Sequence, residues 1–175
     1  KLRFVAGNIN LFNELTDFIC ESACKLKEDL IRSEIKQMDK KIQNELINYG
    51  DSSFNIKKDR GGLTTIDFII DEILLTNYKL LKSFIGESRA NVFHSLSRSR
   101  KYIDTKPLIK GYKILKLVEL AIQNIFDVSN SFVPRSEEKR ILLANWLKSK
   151  QRILLEPDLK NSTSVNKELF KKYVG

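Results

Sequence analysis

Between Asn10 and Tyr49 apolar residues recur at steps of three and four: Leu11, Leu15, Phe18, Ile19, Ala23, Leu26, Leu30, Ile31, Ile35, Met38, Ile42 and Leu46. That spacing draws one stripe along an α-helix and turns Glu14, Asp17, Glu21, Lys25, Glu28, Arg32, Lys36 and Lys40 mostly to water. No proline interrupts the stretch, Asn8 or Asn10 can cap its start, and Gly50 can end it. A helix of about 40 residues would run roughly 60 Å. At that length a single break is expected, near Cys24 or Ser33. The rest of the chain is expected to pack around this element.

The pattern then changes. Gly50 to Gly62 (GDSSFNIKKDRGG) is polar and turn-rich, a loop that Phe54 and Ile56 can pin to the bundle. Thr64-Thr65-Ile66-Asp67 has the form of a helix start, and the helix should run to Ile85 before Gly86. It is apolar over more than one face, which predicts the central helix of a bundle. A shorter helix follows from Ser88 to Ile103, and Asp104-Thr105-Lys106-Pro107 opens another that reaches Phe126. Asp127 to Arg135 is a second loop, and Ser136 starts a helix that ends near Leu155, ahead of Pro157. Asp158 to Thr163 is expected to be a linker, and Ser164 to cap a final short helix. The sum is a single all-α domain of five to six helices, a bundle or α-α array, with loops near 50–63, 127–135 and 156–163. No internal repeat is present.

Composition supports this picture and adds one asymmetry. Seven glycines and three prolines in 175 residues are too few for a fold built on tight turns. No apolar run approaches bilayer-spanning length, and the chain opens at Lys1 without an initiator Met, as expected of a domain excised from a larger protein. Cys20 and Cys24 lie one helical turn apart, outside ordinary disulfide geometry, and two thiols in a chain this long suggest an intracellular protein, nuclear or cytoplasmic. The net charge is +9. Residues 1–86 balance 13 Lys/Arg against 13 Asp/Glu, whereas residues 87–175 carry 18 against 9. The whole excess therefore lies in the second half, which favours a polyanionic partner for it.

Catalytic chemistry finds little material. His94 is the one histidine, it sits in a basic stretch, and no G-x-S-x-G accompanies it. Asp67 and Asp71 lie one turn apart, but the Glu-x-x-His motif of di-metal bundles is absent, and so is the C-x2-C spacing of zinc sites. Arg60-Gly61-Gly62 precedes a helix without the strand or the G-x-x-x-x-G-K-[ST] of a phosphate-binding loop. Glu119 falls at the edge of an apolar stripe and should pair with a base such as Arg100. The expectation is a non-enzymatic domain with no metal, no cofactor and no catalytic residue.

Function is expected in the basic half. Residues 89–116 contain Arg89, Arg98, Arg100, Lys101, Lys106, Lys110, Lys113 and Lys116 against one acid, Asp104. Arginine and lysine neutralise phosphates, serine hydroxyls donate to phosphate oxygens, and Tyr102 is placed to stack on a base. Phosphorylation of Ser97 or Ser99 would cancel the patch. The lysines run along a helix flank and not at its tip, which suits backbone contact better than groove insertion. Arg135, Lys139, Arg140, Lys148, Lys150 and Arg152 would extend the surface if the helices lie side by side. The candidate nucleic-acid-binding set is thus Arg98, Arg100, Lys101, Lys106, Lys110, Lys113, Lys116, Arg140 and Lys148, for DNA or RNA or an acidic protein segment. The rival expectation is a protein–protein scaffold or adaptor among the subunits of an intracellular assembly.

Overall fold

A computed structural model describes residues 4–48 and 53–175. Among these residues every regular element is helical: α1 Ile9–Cys24, α2 Glu28–Asn48, α3 Leu63–Leu75, α4 Tyr78–Phe84, α5 Arg89–Arg98, a 3-10 helix Arg100–Thr105, α6 Lys106–Phe126, α7 Glu137–Gln151 and α8 Leu155–Tyr173. Extended pairing is confined to one antiparallel bridge between Asn55 and Phe132. No helix among the described residues is long and apolar enough to cross a membrane. The all-α class is as the periodicity implies, but there are more helices than five or six.

Two of the expected helices are divided. The long N-terminal one breaks at Lys25–Lys27. The Lys25 N–H folds back on the Ser22 and Ala23 carbonyls, and the Lys27 carbonyl accepts from Leu30 and Ile31 to start α2, with Glu28 and Asp29 in its first turn. The stop expected at Gly50 lies outside the described residues. The expected 64–85 helix breaks at Thr76–Asn77. The Thr76 hydroxyl donates to the Glu72 carbonyl at 2.8 Å, and the Asn77 side chain caps α4 by accepting from the Leu80 N–H. Ser88 caps α5, but regular helix stops at Arg98 and the tighter 3-10 segment carries the chain to α6.

Asp158–Thr163 is not a linker. It lies inside α8, where Pro157 occupies the first turn and sacrifices no hydrogen bond, and Asp158 accepts from the Leu154 N–H at 2.8 Å. The small polar residues that suggest a loop form the close-packing side of this helix, and Ser162, Thr163 and Asn166 are buried. Gly111 of α6 sits against them, and a Cβ there would meet Asn166 Oδ1 at 3.2 Å. Gly61, at φ +87, lies on the Thr163 backbone, so that a Cβ would stand 2.5 Å from the Thr163 carbonyl oxygen. Asn166 Nδ2 donates to the Gly61 carbonyl at 2.7 Å, stitching the turn before α3 to the C-terminal helix.

The core lies between α3, α5, α6, α7 and α8 and includes Ile66, Ile69, Ile70, Phe93, Leu108, Leu115, Leu143 and Leu147. At about 1.5–3 kcal/mol for each fully buried large aliphatic or phenyl side chain, this cluster dominates the stabilisation. The N-terminal helix is not the organiser. α1 rests chiefly on α4, and α2 on α3 through a small second cluster of Ile31, Ile35, Phe68 and Val174. The organising elements are α3, α6 and α8. Ile56 is fully buried and Phe54 packs on the core, so the described part of the 50–63 loop is held down as expected.

Candidate nucleic-acid interface

α6 is built as a two-sided rod. Leu108, Leu115, Val118 and Ile122 are sealed in the core, and Gly111 abuts α8. Lys106, Lys110 and Lys113, at steps of four and three, fall on the opposite side and are exposed. Among the described residues none of these three lysines has an acidic partner. The 3-10 helix leads directly into α6, and Arg98, Arg100 and Lys101, all exposed, precede the α6 N-terminus in the chain.

The acids nearby are engaged elsewhere. Asp104 accepts from Lys172 Nζ at 2.5 Å and from the Tyr173 hydroxyl at 2.7 Å. Partial burial works to raise the Asp104 pKa, but these two donors outweigh it and hold the carboxyl below its ordinary range. Tyr173 is correspondingly pushed well up, by burial first and then by the Asp104 carboxylate. Glu119 is buried and takes a hydrogen bond from Ser131 Oγ at 2.8 Å and an ion pair from Lys116 at 2.6 Å. Its base is thus Lys116, three residues earlier on the same helix, and not Arg100. Arg89 bridges Asp67 at 2.8 Å and Asp71 at 2.6 Å. Burial disfavours the Arg89 charge, yet the two carboxylates raise its pKa overall.

Several sequence-based expectations fall at this point. Tyr102 is 7 % exposed and belongs to the core cluster, so it offers no face for a base. Ser97 is buried and its hydroxyl donates to the His94 carbonyl, while Ser99 is half-buried at the helix end. Lys101 Nζ lies 5.1 Å from the Tyr102 ring centroid, and its pKa is raised by the Tyr102 side chain and further by Glu28 and Glu72. Arg98 reaches His94, with 3.4 Å between Nη1 and Nε2. The first turn of α3 has no vacancy for an anion, since Gly62, Leu63 and Thr64 give their N–H groups to Asp59, Ile56 and Lys57 carbonyls.

The nine candidates do not form one surface. Lys106, Lys110 and Lys113 share the outer side of α6, with Arg98, Arg100 and Lys101 at its entrance and Lys116, already paired, on its flank. Arg140 and Lys148 line the groove between α7 and the start of α8, and Arg140 is ion-paired with Glu156. The residues lining that groove all fall between Arg135 and Pro157, with none from α6. The groove itself was not anticipated, although Ile141-Leu142-Leu143 signals it: three consecutive apolar residues on a helix cannot all face one core, and only Leu143 is buried. No protein-family model matches the chain.

Proposed function

We propose that the chain is a non-enzymatic helical domain that binds nucleic acid through backbone phosphates along the outer side of α6. The observation that carries this reading is the row Lys106–Lys110–Lys113, exposed, aligned, and without an acidic partner among the described residues. Arg98, Arg100 and Lys101 extend the row at the helix N-terminus, whose own partial positive charge adds to theirs. With Tyr102 buried, that ring does not stack on a base, and recognition rests on counterion release and not on sequence. Arg140 and Lys148 stand apart and serve at most a second contact.

The test is anisotropy titration of unrelated duplex DNA and RNA at several salt concentrations. A steep fall of affinity with salt is expected, and a combined Lys106→Glu, Lys110→Glu, Lys113→Glu variant should bind at least about tenfold more weakly with a salt slope flatter by roughly 2–3. No binding, or an unchanged slope in the variant, removes the proposal. A second reading, a scaffold or adaptor within an intracellular assembly, draws on the exposed Leu11, Leu15 and Phe18 of α1. Salt-insensitive capture of a protein, lost on Leu15→Asp, would favour it.

A further inference from the structure

Two exposed apolar surfaces of this molecule carry opposite charge. On α1, Leu11, Leu15 and Phe18 share one side and are 64, 43 and 66 % exposed, because the helix buries a different side through Cys20 and Ala23. Beside that apolar side run Glu14, Asp17 and Glu21, of which Asp17 is paired with Lys82 of α4 at 2.6 Å, and no Lys or Arg occurs from Ile9 to Cys24 itself. The second surface is the groove between α7 and the start of α8, about 710 Å³ in volume. Ile141 and Leu154, 53 and 50 % exposed, stand in it over Ile153 and Leu155. Two acids, Glu137 and Glu156, also line it, but residues 135–154 hold six basic side chains against two acidic ones.

We infer that α1 of one copy docks into the α7–α8 groove of a second copy, its apolar side against Ile141 and Leu154 and its acidic side toward the lysines and arginines of α7. An acidic, apolar helix rejects anionic lipid and nucleic acid alike and seeks an apolar surface with a basic margin. The chain itself supplies that surface. α1 is free to reach it, since it leans on its own bundle chiefly through α4 at the periphery. The helix and the groove are different patches, so the contact is head-to-tail and leaves one of each open on every pair. A helix of 16 residues is ~24 Å long, and one of its sides buries less than a standard interface, so the association is weak. This inference is independent of phosphate binding by α6.

The test is sedimentation of the full chain from micromolar to near-millimolar concentration, with two double variants. Leu15→Asp/Phe18→Asp disables the helix, and Ile141→Asp/Lys148→Glu disables the groove. The unaltered chain should grow in mass with concentration, each variant alone should remain monomeric, and an equimolar mixture of the two should form a dimer and stop there. That last result is peculiar to a head-to-tail contact, because the mixture retains one intact helix and one intact groove. A chain that stays monomeric throughout, a helix variant that still assembles, or a mixture that does not pair would each overturn the inference. If thermal melting shows either variant unfolded, Leu15→Ser and Ile141→Ser replace them with the same expected pattern.

Discussion

On α6, Leu108, Leu115 and Val118 are completely sealed and Ile122 is 1 % exposed; on α1, Leu11, Leu15 and Phe18 lie 43–66 % open to water. Both helices carry an apolar side at three- and four-residue steps, and both set charges beside it. The difference is in the neighbours. α6 is enclosed by α3, α5, α7 and α8, whereas α1 has chiefly the seven-residue α4 beneath it. Amphipathic spacing states that a helix side needs cover, but the supply of cover depends on what else the chain places nearby. The molecule is therefore a firmly packed unit from Ile56 onward with a lightly attached N-terminal helix.

The largest expected effect tests that contrast directly. Leu115→Ala should cost about 3–4 kcal/mol in urea unfolding, by lost burial and the cavity left behind, while Leu15→Ala should change stability by less than about 0.5 kcal/mol. Equal losses at the two sites would break the distinction. Next is Gly61→Ala, which forces a Cβ onto the Thr163 carbonyl at a left-handed position and should cost about 2–3 kcal/mol. A neutral result would mean that α8 does not seat on the turn.

Asp104→Asn should cost about 1–2 kcal/mol at neutral pH by weakening the bonds from Lys172 and Tyr173. The native Asp104 pKa is depressed, so its contribution is present above the ordinary value of 3.8 and is lost as pH falls through the lower native value. The gap between variant and unaltered chain should accordingly close in acid, as equilibrium unfolding across pH will show. The smallest effect lies within α1. Cys24 is exposed, while Cys20 is buried and its thiol pKa is raised, by burial foremost. An alkylating reagent at neutral pH should label Cys24 first, and Cys20 should follow only as fast as α1 lifts from α4.

The fold class was legible because its signals are local. Scarce glycine and proline, the Asn8 and Ser88 caps, the Asp104-Thr105-Lys106-Pro107 start and the apolar run from Ile66 to Leu74 all act within a turn or two of the chain. The break at Lys25–Lys27 falls beside Cys24, one of the two places that helix length alone suggests, although Leu26 and Leu30 continue the apolar spacing across it. Ser162 and Thr163 suggested a linker because small polar residues favour turns, and the sequence does not disclose that Gly111 and Gly61 lie opposite and require small neighbours. In the candidate site the charge was legible and the geometry only partly so. The row Lys106–Lys110–Lys113 follows from helical period alone, but the capture of Lys116 by Glu119 and the removal of Arg140 and Lys148 to another groove depend on tertiary contacts far apart in sequence.

The bond from Asn166 to Gly61 spans 105 residues, and it joins the turn before α3 to the final helix. On the ribosome that separation becomes a delay. α3 emerges with its isoleucines bare, and its lid, α8, is translated only well after it. Until α8 clears the exit tunnel, the nascent chain displays a greasy, unshielded rod that invites chaperones or aggregation. A stop codon anywhere before the closing helix should yield a product fit for degradation.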